Sequence, residues 1–191
     1  MFWLVYKRHD GNHHQTVLPQ ATRHRCPVIA GRYRATMAPH SSRDLETVER
    51  VIAAPAERIF DLLADPARHR DIDGSGTVRE AAEGSVRLQL GSKFAMAMKQ
   101  GFGYSMISEV VEFELNRRIA WQSKSPVAFL GLFVGGRIWR YELEPVESGT
   151  LVRESWDISH ERIKVLVRPL RTKTREAMTA TLARIETVLS E

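Results

Sequence analysis

Short stretches of alternating apolar and polar residues follow one another along the chain, and this pattern constrains the fold more than any other feature. The alternation has a period of two, at which the side chains of a β-strand change face. Short turns that contain glycine, asparagine or proline separate the stretches. This arrangement is typical of an antiparallel sheet with one buried face. The clearest predicted strands are residues 47–53, 85–90, 104–115 and 150–159.

Two segments have helical rather than strand periodicity. Residues 53–66 read AAPAERIFDLLADP, with Pro55 suited to a first helical position and four apolar residues on one face. A second short helix is predicted at 67–70. The C-terminal segment keeps apolar residues at helical spacing, but Pro169 interrupts it because proline cannot donate to a helix interior. The main C-terminal helix is therefore predicted over about 170–189.

The order strand, two short helices, about six strands and a long helix resembles the SRPBCC superfamily, the START-related polyketide cyclase/dehydrase and lipid-transfer proteins. APAERIFDLLADP resembles the opening of that superfamily, VVEFELNRRIAWQSK its strand–turn–strand in mid-chain, and REAMTATLARIETVLSE its closing helix. The resemblance implies an α+β helix-grip fold, in which a curved antiparallel sheet of six to seven strands wraps around the C-terminal helix. It covers residues 46–191.

Charge divides the chain into an arm and a domain. Residues 1–36 hold six of the 28 basic side chains and one of the 23 acidic ones, so the remaining residues carry 22 of each sign. The excess of positive charge therefore belongs to this basic arm, and the domain gives no support for a specific nucleic-acid partner. Residues 37–45 are polar and are interpreted as a linker. No apolar run is long enough for a transmembrane helix.

The arm has three competing interpretations. It is a disordered tail, or sequence upstream of a true start at Met37, or a functional arm that binds RNA or anionic lipid. The arm also holds Cys26, the one cysteine of the chain. A single cysteine excludes an intramolecular disulfide, and a reducing, cytoplasmic location is the expectation.

Several large side chains share the face that the strand alternation predicts to be buried. Pockets between a sheet and a helix are mostly apolar, with a few polar groups that orient the ligand. Tryptophan and tyrosine combine a large apolar surface with a polar tip, and methionine adapts to varied ligand surfaces. The predicted ligand-binding residues are Phe94, Met96, Met98, Trp121, Trp139, Tyr141 and Trp156.

Two glutamates break the apolar pattern of this face. Glu109 lies two residues from both Ile107 and Val111, and Glu154 lies two residues from both Val152 and Trp156. Residues two apart in a strand share a face, so strand alternation predicts that both glutamates point inward. A buried carboxyl has a raised pKa and can serve as an acid, a base or a ligand anchor. Glu109, Glu154 and Tyr141 are the candidate catalytic residues, and the alternative is that a bulge turns either glutamate outward.

No metal or cofactor is predicted. The acidic segment 71–76 begins like a calcium loop, but position 12 of such a loop would be Ala82 rather than a bidentate glutamate. A turn built from aspartate and glycine explains the segment better. No phosphate-binding loop, dinucleotide fingerprint or Ser–His–Asp arrangement is present.

Three functions fit these observations. The first is binding or carriage of a hydrophobic small molecule, such as a lipid, a polyketide or an isoprenoid. The second is an aromatase/cyclase-like enzyme that acts on a polyketide, as members of the superfamily do. The third is a protein or ribosome partner that uses the basic arm or the apolar residues 129–133. Sequence alone determines neither the ligand nor the oligomeric state.

Overall fold

A computed structural model describes residues 42–81, 86–100, 102–124 and 135–191. The predictions for the basic arm, for Cys26 and for residues 129–133 therefore concern parts of the chain outside the described residues. Within the described ranges, no helix is both long enough and apolar enough to cross a bilayer.

The described strands form one antiparallel sheet of seven strands. Its spatial order is β1-β7-β6-β5-β4-β3-β2, so the first two strands along the chain lie at opposite edges. The strands are β1 Leu45–Ile52, β2 Val78–Ala81, β3 Lys93–Gln100, β4 Phe102–Glu114, β5 Arg118–Lys124, β6 Gly135–Val146 and β7 Gly149–Asp157.

The helices lie where the sequence predicts them. Helix α1 covers Ala56–Leu63, a 3-10 turn covers Pro66–Arg68, and α2 covers His69–Ile72. Near the C-terminus, α3 covers Lys164–Val167 and a second 3-10 turn, Arg168–Leu170, holds Pro169. The long helix α4 then runs from Arg171 to Ser190, which confirms the predicted break at the proline.

The hydrophobic core lies between one face of the sheet, called here the concave face, and the helices. Helix α1 contributes Ile59, Phe60 and Leu63, and α4 contributes Leu182 and Ile185, all of them essentially without solvent exposure. They pack with inward side chains of the strands in one contiguous cluster. This is the predicted α+β helix-grip architecture.

A buried ion-pair cluster fastens α4 to the first strand. Glu46 of β1 is 2% exposed, and its carboxylate accepts hydrogen bonds from Arg171 and Arg175 of α4. Burial by itself would raise the pKa of Glu46, but the hydrogen bonds from the two arginines outweigh it and lower that pKa. Just before β1, Asp44 accepts hydrogen bonds from Lys164 at 2.9 Å and Arg168 at 2.8 Å.

Two strand predictions are wrong in detail. Residues 86–90 form no strand: Val86 and Leu90 are exposed, and Leu88 enters the core while its N–H donates to the Ala64 carbonyl. In β4, a register shift between Val110 and Glu112 marks a β-bulge. A bulge adds one residue to a strand, so the buried positions before it differ in alternation from those after it.

Candidate ligand-binding site

Three tryptophans lie side by side across the concave face. Trp121 of β5 pairs with Trp139 of β6, and Trp139 pairs with Trp156 of β7. Directly opposed residues on adjacent strands project from the same face of a sheet. Trp121 and Trp156 are buried, whereas the indole of Trp139 between them is only partly covered. The sheet thus presents a continuous aromatic row with a partly open centre.

The remaining predicted lining residues lie on the same face. Phe94 and Met96 of β3 are buried, Met98 is partly buried, and all three belong to the core cluster or pack against it. The Phe94 ring meets Trp121 edge to face, with the ring centroids 5.8 Å apart. The structure therefore gathers the seven predicted residues on one surface, and their contact with a ligand stays a prediction.

Tyr141 and Glu154 form a buried polar pair within this aromatic surface. They are cross-strand partners on β6 and β7, next to the tryptophan row. The Tyr141 hydroxyl donates a hydrogen bond to Glu154 Oε1 at 2.8 Å. Their exposures are 5% for Tyr141 and 2% for Glu154, so the pair is shielded from water. The inward direction predicted for Glu154 is confirmed.

The carboxyl of Glu154 is protonated at neutral pH. Burial raises its pKa to about 8, against the lowering effect of the Tyr141 hydrogen bond and with a further increase from the negative charge of Asp73. Burial also raises the pKa of Tyr141 well above its ordinary value. Among the described side chains, Glu154 Oε2 is the buried polar atom without a hydrogen-bond partner.

Asp73 belongs to the loop between α2 and β2, which rests against α4. The carboxylate of Asp73 accepts from the backbone N–H groups of Ser75 at 2.9 Å and Val78 at 2.8 Å. The N–H of Gly74 donates to Thr181 Oγ1 of α4 at 3.0 Å. Segment 71–76 therefore contains the end of α2 and a turn that is fastened to α4, in agreement with the turn predicted from its sequence.

Sequence reasoning missed His69 as a member of this site. Its imidazole stacks on Trp121, with centroids 5.1 Å apart and planes 24° apart, and Nε2 lies 2.8 Å from the Leu63 carbonyl. Because a carbonyl only accepts, Nε2 carries the proton and Nδ1 is the unprotonated nitrogen of the neutral ring. Burial lowers the pKa of His69, which keeps the ring neutral. The sequence did contain a signal for this inward position. His69 lies three residues from Pro66 and from Ile72, a spacing that places all three on one helical face, and the structure buries both neighbours.

The prediction that Glu109 points inward is wrong. Its side chain is 39% exposed and lies 3.9 Å from Lys93 Nζ, while its neighbours Ser108 and Val110 are buried. The cause is the bulge in β4, because the alternation that places Phe113 inward applies only after it. Glu109 is therefore no candidate for acid–base chemistry on the concave face.

Arg137, near the start of β6, pairs with a glutamate from outside the sheet. Its Nε donates to Glu161 Oε1 at 2.9 Å, and Glu161 Oε2 accepts from the Gly135 N–H, also at 2.9 Å. The carboxylate of Glu161 is fully buried. This ion pair holds the beginning of β6 against the segment that follows β7. Among the described residues, the charged side chain that shifts the pKa of Glu154 is the acidic Asp73.

A curved antiparallel sheet closed by a long C-terminal helix, with aromatic and polar side chains between them, defines a helix-grip protein. The sequence matches the family described as Polyketide cyclase / dehydrase and lipid transport over residues 46–190. The chain belongs to that family.

Part of the sequence is similar to a mycobacterial protein. The chain is 40% identical over 103 residues to the uncharacterised protein Rv0088 of Mycobacterium tuberculosis, a match that covers 53% of this chain and 41% of Rv0088. This chain thus spans about two fifths of that relative.

Solved structures share the fold at low sequence identity. The crystal structure of MLL2253 from Mesorhizobium loti aligns with a TM-score of 0.59 and 17% identity, over 76% of this chain and 96% of that one. DynU16, a protein in the dynemicin biosynthetic locus, aligns with a TM-score of 0.56 and 16% identity, over 77% of this chain and 47% of its own. At these identities the comparison establishes the fold.

Proposed function

We propose that this protein binds and carries a hydrophobic small molecule, such as a lipid, a polyketide or an isoprenoid, between the concave face and α4. The observation that carries this proposal is the aromatic row, in which the Trp139 indole is only partly covered although both flanking indoles are buried. A partly exposed indole on a mostly buried aromatic surface is suited to contact with an apolar ligand. The description of the family, which includes lipid transport, supports the same role.

Extraction of the purified full-length protein tests this proposal. We expect organic solvent to release a stoichiometric hydrophobic molecule that mass spectrometry detects. Trp139→Ala should lose that molecule, because it removes the partly open centre of the aromatic row. Leu115→Ala is the control, since Leu115 is 61% exposed and follows the end of β4, whereas Trp121 pairs with Val110 within that strand. Equal ligand content in both variants and the wild type would refute the assigned site.

One observation favours aromatase/cyclase-like catalysis as a second candidate function. Glu154 holds a proton that a reacting carbonyl can accept, and the neutral His69 has an unprotonated Nδ1. Ring contacts connect the two residues. Trp121 stacks on His69, its ring centroid lies 5.4 Å from that of Tyr141, and the Tyr141 hydroxyl donates to Glu154. Glu154→Gln should then abolish turnover of a linear polyketone while retaining its binding. Unchanged turnover in this variant would remove Glu154 from any catalytic role.

A further inference from the structure

The unpartnered oxygen of Glu154 constrains what the site can accept. Oε1 receives the Tyr141 hydroxyl, whereas Oε2 is buried and has no partner among the described residues. A buried polar atom without a hydrogen bond is costly, so native proteins rarely leave one unsatisfied. Glu154 lies two residues from Trp156 on the same strand face, next to the aromatic row. Glu154 is also the diagonal neighbour of Trp139 across β6 and β7, a separation that long and aromatic side chains span.

The surroundings of Glu154 determine which kind of partner Oε2 needs. The titratable groups that act on it are Tyr141 of β6 and Asp73 of the loop before β2, while the facing residue of β1 is Val48. Neither Tyr141 nor Asp73 supplies positive charge, so the carboxyl remains neutral. Because Tyr141 donates to Oε1, the carboxyl proton belongs on Oε2, which then acts as a hydrogen-bond donor.

If Oε2 donates a hydrogen bond, the group on the ligand that accepts it can be narrowed to one chemical type. A carboxylate on the ligand would be repelled by the negative charge of Asp73 and would itself be desolvated. A hydroxyl could accept from Oε2, but it would bring an O–H that needs another acceptor. A carbonyl oxygen accepts and has no hydrogen to satisfy.

We propose that Glu154 Oε2 donates a hydrogen bond to the carbonyl oxygen of an uncharged ketone or ester ligand whose apolar part lies on Trp139. This inference rests on the proposed function, since it names the polar group of the molecule carried at the same site. Tyr141 is a positioning residue that holds Glu154 Oε1 and leaves Oε2 to the ligand.

A matched pair of probes tests the proposal on the full-length protein. The ketone 2-acetylnaphthalene and the hydrocarbon 2-isopropenylnaphthalene have the same shape and differ by C=O against C=CH2. Quenching of tryptophan fluorescence measures their binding. Near pH 6 we expect the wild type to bind the ketone about tenfold more tightly, the value of one neutral hydrogen bond. Near pH 9.5 the ionised carboxylate cannot donate, and the preference should disappear.

Two variants complete the test. Glu154→Gln keeps a donor that does not titrate, so it should prefer the ketone at both pH values. The double variant Tyr141→Phe with Glu154→Leu removes both polar groups together and should bind the two probes equally. Thermal unfolding checks that each variant is folded. Should the double variant not fold, the pH response of the wild type and of Glu154→Gln decides the matter.

The outcomes separate this inference from the proposed function. Equal binding of the two probes by the wild type near pH 6 would overturn the carbonyl assignment and leave hydrophobic binding intact. A ketone preference that persists unchanged in the double variant would place the donor elsewhere and would also overturn the assignment. Failure of the wild type to bind either probe would count against the proposed function itself.

Discussion

Tyr141 and Glu154 face each other across β6 and β7, and the hydroxyl of one donates to the carboxyl of the other in a region that water does not reach. The hydrogen bond orders a carboxyl that would otherwise be free to rotate. It also occupies only one of the two carboxyl oxygens. The orientation of the Glu154 carboxyl is therefore fixed, and Oε2 remains for one further hydrogen bond.

The contribution of Glu154 to the stability of the protein should decrease as pH rises from about 4.5 to about 8. In the folded state Glu154 keeps its proton up to about pH 8, whereas in the unfolded chain it ionises near pH 4.5. The unfolded state thus binds fewer protons, and the free energy of unfolding falls by up to about 1.4 kcal/mol per pH unit. Glu154→Gln should remove this slope. Urea unfolding at several pH values measures it, and parallel slopes for both proteins would contradict the assignment.

His69 should destabilise the protein in mild acid. Its pKa is lowered by burial in the folded state, so below about pH 6.5 the unfolded chain gains a proton that the folded protein excludes. The stabilising contribution of the neutral His69 ring is fully present above that pH and is lost as the pH falls. Glu154 has the opposite dependence in this range, so the measurement belongs in the Glu154→Gln background. Adding His69→Gln should flatten the curve between about pH 6.5 and pH 5. A curve unchanged by the second substitution would show that His69 titrates normally.

The two arginines that bind Glu46 should be partly interchangeable. Arg175→Met or Arg171→Met alone leaves the buried Glu46 carboxylate with one cationic partner. The double substitution leaves an uncompensated buried charge, which is far more costly than the loss of either pair. We expect the double variant to lower the melting temperature by about 5 °C more than the sum of the single variants. A double-mutant cycle measures this coupling, and simple additivity would refute it.

Gly74→Ala should be strongly destabilising, by about 3 kcal/mol. A Cβ at this position would lie 2.2 Å from the Ala177 carbonyl oxygen and 2.4 Å from the Thr181 nitrogen, both in the backbone of α4. The loop and the helix would have to separate. Gly76→Ala is the matched control, because Gly76 has open space around it and costs only the strain of its φ of +65°, about 1 kcal/mol. Equal destabilisation in chemical denaturation would show that the loop does not depend on close packing with α4.

The features that sequence predicted correctly depend on local periodicity. The strand alternation of β7 places Glu154 and Trp156 inward because β7 pairs with both neighbours without a register shift. The helix break at Pro169 follows from the chemistry of a single residue. In such segments the backbone follows regular strand or helix geometry, so the side-chain pattern alone predicts which residues are buried.

The failures have a common physical cause, which is that tertiary partners decide the outcome. The direction of Glu109 depends on a bulge that exists only in the pairing of β4 with β5. Val86, Leu88 and Leu90 are two residues apart, as on one face of a strand, but the N–H of Leu88 donates to the carbonyl of Ala64, just after α1.

The order of the sheet has a consequence for biosynthesis. β1 is the first strand made, but its neighbour in the sheet is β7, the last one. A nascent chain must therefore leave the ribosome with β1 unpaired and wait until nearly the whole domain has been synthesised. Such non-local closure is slow, and unpaired strands favour aggregation in the meantime. Truncated translation products that end before β7 should accordingly be targets for chaperones and proteases rather than smaller folded domains.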